Sequence, residues 1–198
     1  FSQTGVFVSS AGHVVTDGKL FNECDFITLE DNIKANIVSR DTDTNIVLLK
    51  PEQELTPIGI SKFSPSEPKW KSQFLAVGYS YEGRLKEASI VKAQLEALES
   101  ITGDKAQMRL NLNIYSGDYG AAIINQFGSL EGILVRPSDN RRNLPNDVHH
   151  AIKAKYIKSV FQKYLGASMP QNYYKIMKGE ELAKLGRDIT TLVSCWPN

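Results

Sequence analysis

From residue 5 to about residue 135 the chain consists of short apolar or alternating runs separated by turn residues. Examples are TGVFVSS, GHVVTDG, CDFITLED, KANIVSRD, TNIVLLKP, SQFLAVGYS, KEASIVKAQLEAL, AQMRLNLNI, YGAAIINQFG and SLEGILVRP. Runs of this length, bounded by glycine and polar clusters, favour an all-β sandwich or barrel over repeated βαβ units. The stretch from Pro51 to Trp70 also holds Pro57, Pro65 and Pro68. It cannot be an interior strand throughout, because proline has no N–H for the ladder, and it reads as the crossing between two half-barrels. Beyond the polar loop RPSDNRRNLPND, VHHAIKA reads as a strand and KYIKSVFQKYLG as a helix. Ile157, Val160, Phe161, Tyr164 and Leu165 fall on one face of that helix, and Gly166 is a stop signal. The final stretch, GEELAKLGRDITTLVSCW, reads as a further amphipathic helix interrupted at Gly186.

Composition narrows the class without naming a function. In 198 residues, 41% are hydrophobic and 23% charged, with a formal net charge of +1, so the chain is neither disordered nor a polyanion binder by overall charge. It contains no apolar run of about 18 residues and no charged-then-apolar leader, so no membrane span is expected. It begins at Phe1 rather than Met, which reads as an excised domain or a processed form. The two cysteines, Cys24 and Cys195, have no metal-ligand spacing around them. They are either one long-range disulfide, as an oxidising compartment would allow, or two independent thiols.

Three segments carry a family resemblance. TGVFVSSAGHVVTDGKLF resembles the opening of trypsin-like serine proteases of the HtrA/Deg type, where two strands lead into T-x-x-H-V-V. DTDTNIVLLK is similar to that family's acid motif, and NIYSGDYGAAIINQFGSLEGILV to its nucleophile segment, G-x-S-G-G-P-L followed by a turn and a strand. VHHAIKAKYIKSVFQKY resembles the strand and closing helix at the end of such a domain. The resemblance covers about residues 2–165. It implies two six-stranded antiparallel β-barrels with a cleft between them, an N-terminal barrel over about 1–62, a C-terminal barrel over about 70–155 and a closing helix over about 155–166. Residues 167–198 are left as a tail of unassigned role, helical in part.

Position by position, the triad implied by the resemblance is replaced. Lys19 stands where the histidine is expected, Asn45 where the aspartate is expected, and Tyr119 where the serine is expected. Serine-type acyl transfer needs a nucleophile, a base of near-neutral pKa to take its proton, and a carboxylate to orient that base. A lysine ammonium, a neutral amide and a phenol of pKa about 10 supply none of these roles. Gly117, Asp118 and Gly120 keep the outline of the oxyanion loop, but Ala121 and Ala122 replace the second glycine and the proline of the motif.

The chain is therefore expected to be a pseudoprotease that holds a protein or peptide partner, as a scaffold or regulator, and could assemble as a homo-oligomer. The alternatives are a peptidase with a rearranged residue set, including proton transfer by a Tyr119–Lys19 pair, and a polyanion-binding module built on Arg136, Arg141 and Arg142. No phosphate-binding glycine loop, cofactor motif or metal set is seen, so no cofactor, metal or nucleic-acid partner is expected. His149 and His150 are adjacent on a strand, point to opposite faces and cannot easily grip one ion; either could line the cleft with Tyr115, while His13 reads as a strand or surface histidine. The aromatics Trp70, Tyr79, Tyr81, Tyr115, Tyr119, Tyr173 and Tyr174 are of the type that interfaces favour. The resemblance suggests a bacterial envelope or secreted setting.

Overall fold

The computed structural model describes residues 1–30, 32–137, 145–165 and 175–197. Its first barrel is built from β1 (Ser2–Phe7), β2 (Val14–Asp17), β3 (Phe26–Leu29), β4 (Ile33–Arg40), β5 (Ile46–Pro51) and β13 (Thr190–Trp196), closed in the order β1-β13-β3-β4-β5-β2. A short strand, β6 (Lys62–Phe63), leads to the second barrel. That barrel comprises β7 (Gln73–Gly78), β8 (Ser89–Ala97), β9 (Gln107–Asn111), β10 (Ala122–Ile124), β11 (Ser129–Val135) and β12 (Val148–Lys153), and pairing of β10 with β11 closes it. Apart from the β6–β11 contact, which is parallel, neighbouring strands are antiparallel. Closure leaves neither barrel with a long free edge.

Alternation along the strands explains which side chains fill each barrel. In β9 Met108 and Leu110 are buried while Gln107, Arg109 and Asn111 are only half so, and the two apolar side chains join Phe74, Leu95, Ile123 and Leu134 inside the second barrel. Inside the first lie Val14, Leu29, Val47, Leu49 and Val193. A third apolar cluster fills the space between the barrels with Val6, Val15, Ile46, Leu48, Val77, Ile124, Ile133 and Ile152. The run Ile46–Leu49 is continuously apolar because it is buried on both faces: Val47 and Leu49 look into their own barrel, Ile46 and Leu48 toward the other. The helix α1 (Ala154–Leu165) lays Ile157 and Phe161, one turn apart and fully buried, onto this shared core.

The C-terminal segment departs from the expected organisation. Helix α2 (Gly179–Asp188) is not interrupted at Gly186. That glycine is buried where a Cβ would lie 2.6 Å from a Val77 methyl, so its missing side chain lets the helix press against β7. The residues that follow are not helix but β13, which runs between β1 and β3 with the registers Thr4↔Leu192 and Ile27↔Cys195. The first barrel therefore cannot be bounded at residue 62, nor the domain at 166, because the sixth strand of that barrel comes from residues 190–196. The physical reason is the run Thr-Thr-Leu-Val-Ser-Cys-Trp: its β-branched residues suit a strand, and Val193 and Cys195, two apart, both enter the first barrel's core.

The inserted strand is tied down at its far end. Cys24 and Cys195 form a disulfide across a sequence separation of 171 residues, the Ser2 and Ser194 hydroxyls lie 2.8 Å apart, and the Cys195 amide donates to the Phe1 carbonyl at 2.8 Å. A cross-link over so long a loop restricts the unfolded chain strongly. Replacing both cysteines by serine is expected to lower the stability by about 2–4 kcal/mol, read by guanidinium denaturation, and reductant is expected to reproduce the shift in the unsubstituted protein.

Candidate functional site

The seam between the barrels is organised by Thr4. Its amide donates to the Tyr119 carbonyl at 3.0 Å, its hydroxyl donates to the Gly117 carbonyl at 2.8 Å and accepts from the Tyr79 amide at 2.7 Å, and its carbonyl accepts the Thr16 hydroxyl at 2.5 Å. One residue of β1 thereby holds both sides of the 117–120 turn. That turn requires glycine at position 120: φ is +88°, and a Cβ there would sit 1.8 Å from the Thr4 carbonyl oxygen. Gly117 is likewise left-handed, at +95°. Buried Asp118 accepts the Ser80 hydroxyl at 2.7 Å and the Tyr115 amide at 2.8 Å. Burial pushes its carboxyl above the ordinary range, and those two donors and His149 pull it back in part.

Lys19, Asn45 and Tyr119, the three positions singled out in the sequence, each make contacts within the chain. Lys19 follows β2; its amide donates to Asp17 at 3.2 Å, and its ammonium reaches across the seam to the Pro137 carbonyl. Asn45 precedes β5 with φ at +61°, a conformation asparagine tolerates, and its carbonyl takes the Gly18 amide at 2.8 Å. The Tyr119 ring packs against the core of the second barrel and lies under the Arg136 guanidinium, 4.4 Å from it. Burial raises the phenol's pKa, with Arg136 opposing.

Arg136 does not serve as the free anion-binding group expected of it. Its guanidinium donates to Asp17 at 2.6 Å and to the Gln3 side chain at 2.7 Å, and its amide points at the same Asp17 oxygen at 3.4 Å. Asp17 is 1% exposed; desolvation pushes its carboxyl up while Arg136 pulls it down. Burying a carboxylate this deeply is tolerable only with a close, hydrogen-bonded counter-charge. Arg141 and Arg142, with Tyr173 and Tyr174, lie outside the described residues.

The remaining candidates do not converge on one chemistry. Tyr115 is exposed and tilts onto Tyr81, with ring centroids 4.7 Å apart. A His149 ring nitrogen lies 3.0 Å from the Asn146 carbonyl, whereas His150 is buried on the opposite face of β12 with no partner at Nε2 among the described residues. Burial lowers both imidazole pKa values. His13 sits elsewhere, its Nδ1 2.8 Å from the Ser9 hydroxyl. No group of three or more metal-ligating side chains occurs among the described residues, and no helix there is long and apolar enough to cross a membrane. The residues that organise the seam and were not legible as site residues are Gln3, Thr4 and Asp17. The available signal was an aspartate closing the strand VVTD after two valines and a threonine; all four residues of that strand are buried.

Two measurements follow from the buried charges. Arg136→Ala leaves Asp17 without its counter-ion and is expected to cost about 3–5 kcal/mol of stability, read by urea denaturation at pH 7, with less loss in the Asp17→Asn/Arg136→Ala pair. His150 holds its proton less tightly when folded than at its ordinary value of 6.5, so the unfolded chain binds more protons there. Its contribution is complete above that pH and declines as the pH falls below it. The stability of the unsubstituted protein relative to His150→Leu is therefore expected to fall between pH 7.5 and 5.

Known proteins share this frame. Chains of similar fold include the Rv3671c protease from M. tuberculosis in its active form (18% identity, 86% of this chain and 76% of that one, TM-score 0.62). Another is a serine endoprotease from Yersinia pestis (20% identity, 83% of this chain and 58% of that one, TM-score 0.66). In sequence the chain is 20% identical over 203 residues to the uncharacterized protein y4bJ of Sinorhizobium fredii, a match taking in 97% of this chain and 32% of that protein. The chain thus spans about a third of the length of that curated relative. A family model described as the trypsin-like peptidase domain matches residues 3–133; with that stretch taking in most of both barrels, the chain belongs to the trypsin-like peptidase family.

Proposed function

We propose that this domain is a catalytically inactive, HtrA-like member of its family, a pseudoprotease that works by binding a protein or peptide partner in a scaffold or regulatory role. One observation carries the reading: at the positions that the family resemblance gives to base, acid and nucleophile stand Lys19, Asn45 and Tyr119, and the Lys19 and Tyr119 side chains are engaged within the chain. The Lys19 side chain, an ammonium in its ordinary form, has no lone pair to accept a nucleophile's proton, and it donates to the Pro137 carbonyl. Asn45 has no charge with which to orient or stabilise an imidazolium. The Tyr119 phenol, already a weak acid, is made weaker by burial. In a subtilisin-type triad, loss of the serine or of the histidine alone costs on the order of 10⁶ in kcat. The disulfide supports an oxidising setting such as a bacterial envelope or the extracellular space. The polyanion reading is weakened by the commitment of Arg136 to Asp17.

The test is a fluorophosphonate activity probe together with casein digestion. Neither labelling nor cleavage is expected, and Tyr119→Ser alone is expected to restore neither, because no base stands beside it. Labelling of the unsubstituted chain at a serine would overturn the reading in favour of a rearranged peptidase.

A further inference from the structure

Strand β11 runs on past its partner on one side. β10 pairs with it as far as Ala122↔Ile133, and the last bonds on that side join Leu134 to Ala121 and Gly120. On its other side β12 continues alongside to Val135↔His150. Beyond Leu134 the strand therefore has an edge facing the seam, and an unpaired edge is where an extended chain adds by main-chain hydrogen bonds.

Here that edge is occupied by the opposite barrel. The Arg136 amide is turned to the Asp17 carboxylate, and the same carboxylate holds the Arg136 side chain in place. Pro137 has no N–H to offer, and its carbonyl takes the Lys19 ammonium. The Arg136 guanidinium is enclosed between Asp17, Gln3 and the rings of Tyr119 and Phe1, 4.4 and 5.8 Å away. Asp17, Lys19 and Gln3 come from the first barrel, Arg136, Pro137 and Tyr119 from the second, so the contacts that fill the edge also bind the barrels to each other.

We infer that Asp17 and Lys19 of the first barrel cap the extension of β11 and latch the cleft shut, so that the cleft does not accept an extended peptide by strand addition. Any partner then docks on the closed double barrel as a single rigid surface. This goes beyond the loss of catalysis and does not depend on it: an active or an inactive domain could be latched.

The experiment compares the unsubstituted protein with an uncapped variant, Asp17→Leu/Lys19→Met/Arg136→Met, which replaces the ion pair by apolar side chains of similar bulk. The probe is fluorescein-labelled unfolded casein, followed by anisotropy, with hydrogen exchange read over residues 133–137. The unsubstituted protein is expected to show no saturable binding and a protected amide at position 136; the variant is expected to bind and to exchange that amide at least tenfold faster. Saturable casein binding by the unsubstituted protein at the variant's affinity, or equal exchange in the two, overturns the latch. If the triple variant does not fold, Lys19→Met, whose side chain ends at the seam's surface, carries the casein comparison alone. Casein recovered intact or cut on a gel reports separately on catalysis, so failure of the latch and failure of the pseudoprotease reading give different results.

Discussion

The rest of the structure depends on the double duty of strand β1. Its main chain closes the first barrel between β13 and β2, and at Thr4 the same strand supplies an amide, a hydroxyl and a carbonyl to the seam. A polar residue with every group bonded is the only kind that can be buried at such a junction without a large desolvation penalty. Its neighbours follow from it. Gly120 must lack a side chain because Thr4 lies against it, Thr16 must offer a hydroxyl, and Gln3, the adjacent residue, faces the Asp17–Arg136 pair.

Within that frame Lys19, Asn45 and Tyr119, the positions on which the proposed loss of catalysis rests, each have a structural partner. A serine protease keeps its nucleophile accessible and its base uncharged, both of which require an open, partly hydrated cleft. Here the corresponding places hold a phenol packed on the barrel core, an ammonium bridging to the other barrel and an amide in a turn. The buried Asp17–Arg136 pair beside Tyr119 is weak evidence of net stability, since the Coulombic gain of such a pair largely offsets the cost of drying its charges. It brings Arg136 of the second barrel to Asp17 and Gln3 of the first and to the Tyr119 ring of its own.

The all-β class and helix α1 were legible because they rest on local signals, alternation and a 3.6-residue periodicity, and the double barrel was legible through the family resemblance that three short motifs carry. The role of residues 190–196 was not legible. A strand whose partners lie some 165 to 190 residues away in sequence leaves no local trace of which barrel it completes, and the preceding helix made the whole segment look helical. Arg136 was visible as a charge, but its commitment depends on a carboxylate 119 residues away. Asp17 reads from sequence as an ordinary end of a strand. Cys24 and Cys195 could be read as a pair or as two thiols, because only β13's position between β1 and β3 brings them together.

The pairing of Phe1 with Cys195 has a topological consequence. The chain enters and leaves the first barrel at one point, with its first and last strands hydrogen-bonded side by side. A short linker between these ends, with a new opening in one of the surface turns, would preserve every strand pairing and both barrel closures. In this architecture the order of the segments along the polypeptide can be rotated without altering the fold, and the whole unit can be spliced into a turn of a host protein while scarcely separating the host's two flanking strands.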